Sequence, residues 1–112
     1  MTAEMILARL VALVPEFAAY WDDPENYFRR DDGSFTSCGA FAQFSGFFRD
    51  NYEDLSFGQI ADIGAFVSAC MESPDDLGDA AATCFLENIS TERFRSDFKR
   101  YVTGEALRFY SL

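Results

Sequence analysis

"TSCGAFAQFSGFFRDNY", residues 36 to 52, sets Phe41, Phe44, Phe48 and Tyr52 at intervals of three, four and four. That spacing stacks four rings on one face of a helix, because residues three and four apart are surface neighbours on a 3.6-residue turn. Thr36 or Ser37 supplies the hydroxyl that opens such a helix. Gly39, Ala42 and Gly46 form a second, small-residue ridge on the same segment. Each glycine costs about 1 kcal/mol against alanine in a helix, so the ridge predicts another backbone crossing closely there.

Similar patterns extend to both sides. Residues 3 to 14 place Ile6, Leu7, Leu10, Val11 and Val14 on one stripe, and Pro15 suits the first turn of a short helix carrying Phe17 and Tyr20. "SFGQ" at 56 to 59 reads as a capping box, and the helix it opens has Ile60, Ile63, Val67 and Cys70 as its stripe. "SPDD" at 73 to 76 stops that helix and starts the next with acidic residues against the helix dipole. "LGDAAATCFLENI", residues 77 to 89, ends apolar nearly all round and is the expected central helix. Residues 91 to 102 carry Phe94, Phe98, Tyr101 and Val102, and Thr103-Gly104 breaks before a last turn with Leu107 and Tyr110. The expectation is an all-α, single-domain bundle of about five helices spanning residues 1 to 112.

Composition agrees with a folded domain. The 112 residues are 49% hydrophobic and 17% aromatic with 13 phenylalanines, which excludes intrinsic disorder despite a net charge of -10. The acidity is uneven: residues 1 to 89 hold 4 basic and 16 acidic side chains, whereas residues 90 to 112 hold 5 and 3. A negative body repels phosphate backbones and anionic lipid and attracts basic proteins. Direct nucleic-acid and membrane binding are therefore not expected.

Catalytic chemistry finds little purchase. Histidine is absent and Lys99 is the sole lysine, so the commonest general base and metal ligand are missing. No GxSxG, phosphate-binding glycine loop or CxxC pair occurs, and "RRDDGS" fails the calcium-loop pattern. The paired carboxylates Asp22/Asp23, Asp31/Asp32 and Asp75/Asp76 read as solvated turns and helix starts. A non-enzymatic protein is expected, with no cofactor, no metal and no catalytic residue. Cys38, Cys70 and Cys84 are odd in number and lie in apolar helical contexts. They read as buried, reduced thiols, and a cytoplasmic address follows.

The segment "YWDDPENYFRRDDGSF", residues 20 to 35, cannot be a regular helix. Its Asp32-Gly33 step between short runs predicts an irregular or β-hairpin-like projection. Some of Trp21, Tyr27, Phe28 and Phe35 must pack back to hold it, and aromatic rings beside arginines and carboxylates are what binding hot spots look like. The candidate partner-binding residues are Trp21, Asp22, Asp23, Glu25, Tyr27, Arg29, Arg30, Asp31 and Asp32. Glu87 joins them, since a helical wheel puts it at the flank of an apolar face and Asn88 in the middle, both half-buried. Asn88 is otherwise read as ending its helix in the left-handed conformation, with Glu87 accepting from loop amides or an arginine.

"DDGSFTSCGAFAQFSGFFRDNYEDL", "DLGDAAATCFLENI" and "YVTGEALRFY" together resemble a little-characterised family of small, acidic, all-helical bacterial proteins, with "TCFLENI" the most specific string. Small acidic domains of that kind include immunity proteins. The resemblance thus implies an inhibitor that docks a basic partner, such as a secreted toxin domain. The alternative is a scaffold or adaptor domain that self-associates, so a monomer and a homodimer both stay open.

Overall fold

The computed structural model describes residues 1 to 110. Those residues form seven α-helices and short 3-10 and π turns, with no strand among them. Helix α1, Ala3–Leu13, is capped by Thr2, whose hydroxyl accepts from the Met5 amide at 3.1 Å. It buries Ile6 and Leu10. After Pro15 the chain turns into α2, Phe17–Trp21. Helix α3, Ser37–Asn51, is capped by Thr36 and tightens into a 3-10 turn at Tyr52–Asp54. Helix α4, Phe57–Met71, carries both halves of the capping box between Ser56 and Gln59. No helix among the described residues is long and apolar enough to cross a membrane.

The segment expected as one helix over 77 to 89 is three pieces. Helix α5, Asp76–Ala81, is followed by a π turn, Ala82–Leu86, and a 3-10 turn, Glu87–Ile89. The π turn carries Cys84, Phe85 and Leu86 into the interior as three consecutive buried residues. The 91 to 102 segment is likewise shortened to α6, Arg95–Phe98, with a 3-10 turn at Lys99–Tyr101. Helix α7, Gly104–Phe109, closes the fold.

The centre is α3 rather than the 77 to 89 segment. Helix α3 touches α1, α2, α5 and the π turn, and buries Phe41, Phe44, Phe47 and Phe48. Its rings seed a continuous aromatic cluster. Phe44 meets Phe17 edge-on at 4.9 Å and Phe85 at 5.7 Å; Phe48 meets Phe85 at 5.3 Å and Phe98 at 5.0 Å. Edge-to-face pairs at such spacings add about 0.5–1.5 kcal/mol each to the burial of the rings.

Two of the three cysteines are not free thiols. Cys38, at the exposed start of α3, is bonded to Cys84 in the π turn, with Cα atoms 5.4 Å apart and a sequence separation of 46. Only Cys70 is a buried free thiol, and burial pushes its pKa up to about 11. The reduced-thiol reading fails for the pair because helical context says nothing about what a distant turn brings alongside. The cytoplasmic expectation loses the premise it drew from it.

The glycine ridge meets another backbone at Gly39 but not at Gly46, and the closest crossing lies on α4. Opposite Gly39 stand the Phe28 side chain, 3.3 Å from where a Cβ would sit, and its carbonyl; opposite Gly46 stands the Tyr20 hydroxyl at 3.0 Å. The backbone that crosses at shortest range is that of Tyr101, against Gly64 of α4, where an added Cβ would fall 2.8 Å from the Tyr101 carbonyl carbon. Ser68, one turn on, fixes this crossing by donating to the Gly64 carbonyl at 2.7 Å and accepting from the Thr103 amide at 3.0 Å. Gly104 then takes φ +58°, and Glu72 accepts from the Glu105 amide at 2.8 Å. A further link joins α3 to α6: Tyr52 donates its hydroxyl to Asp97, which also pairs with Arg100.

Gly64→Ala is expected to lower unfolding free energy by about 1–3 kcal/mol, because backbone must move. Gly46→Ala, facing the tip of a tyrosine, loses less; urea titrations of the two variants check the order. Asp97 is held below its ordinary value of 3.8, first by the Tyr52 hydrogen bond and then by the Arg100 charge. A lowered carboxyl pKa stabilises the fold above about pH 4, and that contribution disappears as pH falls through the folded-state value. Tyr52→Phe should therefore flatten the decline of stability below pH 4, read by denaturant midpoints across an acid series.

Candidate interaction surface

The segment from Asp22 to Phe35 is a succession of tight turns fastened by its own polar side chains. Asp23 accepts from the Glu25 amide at 2.9 Å. Asn26, 5% exposed, donates its amide to the Trp21 carbonyl at 2.8 Å and accepts from the Phe28 amide at 3.1 Å. Asp32 accepts from the Ser34 amide at 2.9 Å and from its hydroxyl at 2.7 Å. Gly33, at φ +85°, completes the last turn by donating to the Arg30 carbonyl, while the Arg30 amide donates to the Ser34 carbonyl at 2.9 Å. These Asx-type turns occupy the amides that a hairpin ladder would use, so the expected β-hairpin does not form.

The rings divide between two sides. Trp21 is buried and meets Phe35 edge-on at 4.8 Å, and Phe28 packs against Gly39. These hold the segment to α2 and α3. Trp21 is an anchor of the interior, so its place among partner-contacting residues is withdrawn. Tyr27 points the other way: it is 83% exposed and rests on Phe28 with ring centres 4.4 Å apart.

The same segment exposes Asp22, Asp23, Glu25, Asp31, Asp32 and Arg30, with Arg29 half-buried. Arg29 reaches back to the Asp22 carboxylate and carbonyl, each at 3.2 Å, and Arg30 to the Ser34 hydroxyl at 3.2 Å. Both arginines thus brace the turns. Asp32 is held below its ordinary carboxyl value, chiefly by the Ser34 hydroxyl and next by the Ser34 amide. Beyond Phe35 the surface runs to a groove of about 440 Å3 lined by Thr36, Cys38, Asp76, Asp79, Thr83 and Cys84.

Glu87 is exposed on a different element, the 3-10 turn after the π turn. Asn88 is exposed too and does not take a left-handed conformation; its amide donates to the Cys84 carbonyl at 2.8 Å and to the Ser45 hydroxyl at 3.3 Å, tying this turn to α3. The half-buried expectation fails for both because the helix carrying that apolar wheel stops at residue 81 and changes pitch. Among the described residues, no three acidic or cysteine side chains converge to hold a metal ion.

Sequence reasoning passed over Asn26, the buried residue on which the segment pivots. Its signal is an asparagine two residues before an aromatic amide in a proline-started turn, a pattern visible once the helix is ruled out. No family model, curated protein or solved structure matches the chain, so its function is argued from this geometry alone. Replacing Ser34 by alanine should move the Asp32 pKa up towards its ordinary value of 3.8. Carboxyl carbon titration by NMR reads that change directly.

Proposed function

We propose that this protein is a non-enzymatic binding domain whose acidic turn segment docks a basic protein. The observation that carries this reading is Tyr27, 83% exposed on a segment closed by its own hydrogen bonds that also carries five exposed carboxylates. An aromatic side chain held in place before binding loses little freedom on contact, which is how single residues come to dominate an interface. The carboxylates supply attraction over distance, since a chain of net charge -10 speeds encounter with a positive partner and slows it with a negative one.

The specific form of the proposal is an immunity-type inhibitor. A toxin domain that acts on phosphate-bearing substrates presents a positive cleft, and Asp22, Asp23, Glu25, Asp31 and Asp32 would stand there in the positions of phosphates. Arg29 and Arg30 act in this reading by shaping the turns. Glu87, on its separate element, extends the acidic surface rather than the Tyr27 epicentre.

Affinity capture from source cells, with Tyr27→Ala as the paired bait, tests the reading. The wild-type chain is expected to retain one basic protein that elutes with salt, and Tyr27→Ala to weaken retention at least tenfold while its thermal midpoint stays unchanged. Capture of no basic protein, or equal capture by both baits, counts against it. Concentration-dependent self-association without such a partner would favour the scaffold alternative.

A further inference from the structure

We infer that the Cys38–Cys84 disulfide is a thiol-exchange site, opened at Cys38 in the folded protein by small thiols that carry no net negative charge. Access decides which sulfur is attacked. Cys38 is exposed at the start of α3, whereas Cys84 is 7% exposed, and both line the open groove of about 440 Å3. On this ground the more exposed Cys38 is the residue assigned to the attack.

The exchange runs in two steps. The external thiolate attacks Cys38 Sγ, the bond to Cys84 breaks, and its electron pair leaves on Cys84 Sγ, which takes a proton from water. A second thiolate attacks the external sulfur of the mixed disulfide, and Cys38 departs as a thiolate at the positive end of α3. Two small thiols become one disulfide while the protein's cystine becomes two thiols.

The fold survives the opening because other contacts join the same elements. Phe85, beside Cys84, packs on Phe44 and Phe48 of α3, and Asn88 bonds Ser45 of α3. The groove also selects the reagent. Asp76 and Asp79 line it and are exposed, so a second negative charge on the incoming thiolate is repelled. Cys70, buried in the core, takes no part while the protein stays folded.

The test treats the folded, full-length chain with limiting cysteamine or mercaptoacetate, compared at equal thiolate concentration, then alkylates free thiols and maps the peptides by mass. The expected product is a cysteamine adduct on Cys38, with Cys70 unlabelled and the far-ultraviolet dichroism unchanged. Mercaptoacetate should react on the order of tenfold more slowly at low ionic strength, and the gap should close in molar salt. An adduct on Cys84, no adduct at all, Cys70 labelling at the same rate, or equal rates for the two reagents at low salt would each overturn the inference. The double variant Cys38→Ser, Cys84→Ser should keep the helical dichroism of the parent. Its collapse, or loss of helix on reduction of the parent, would overturn the claim that the fold persists without the bond.

Discussion

The contact between the aromatic face of α3 and Phe85 is the constraint on which the rest of the structure depends. Phe44, Phe48, Phe85 and Phe98 are all fully buried, and each complete burial of a phenylalanine contributes about 1.5–3 kcal/mol. The helices are too short to stand alone: α2 has 5 residues, α5 and α7 have 6, and α6 has 4, all below the length at which an isolated helix holds in water. They exist because each lays a ring or a small side chain against α3 or α4. The π turn belongs to the same packing, since Cys84, Phe85 and Leu86 are all buried in it and Phe85 lies against Phe44 and Phe48.

A consequence is that the turn segment is placed by the core and not by its own regular structure. Trp21, Phe28 and Phe35 plug it into α2 and α3, and Asn26 satisfies the buried amide and carbonyl that such plugging strands. An unpaired buried peptide group costs about 1–3 kcal/mol, so Asn26 matters more to the surface than any of the charges it supports. Tyr27 is exposed because its neighbours on either side are committed inward.

Much of this was legible in the residues. The starts of α3 and α4 follow from Thr36 and the Ser56/Gln59 box, and the α3 stripe is periodic enough to read directly. What was not legible is long-range. The Cys38–Cys84 bond and the Gly64–Tyr101 crossing each join segments about 40 residues apart, and no local pattern encodes such a meeting. The break of the 77 to 89 helix is an override of the same kind: alanine-rich propensity favours continuation, and packing against α3 wins. In the turn segment the exposure of the carboxylates follows from their charge, but which of Trp21, Tyr27, Phe28 and Phe35 pack inward does not, because aromatic residues in a turn segment do not announce which side they face.

Two forces act on the turn segment in opposite senses, and salt separates them. Asp22, Asp23, Glu25, Asp31 and Asp32 fall within eleven residues, so their mutual repulsion favours an open chain. Against it stand the hydrogen bonds that Asp23, Asn26 and Asp32 accept from backbone amides and the Arg29 contact with Asp22. Repulsion among exposed charges is screened beyond about 10 Å at 0.1 M salt, whereas a hydrogen bond at 2.9 Å is not. Rising ionic strength therefore firms the segment while it would weaken long-range attraction to the basic partner proposed above. For the proposed complex, a loss of binding in salt would report the encounter between two charged surfaces, because the shape of the segment is better kept as its own repulsion is screened.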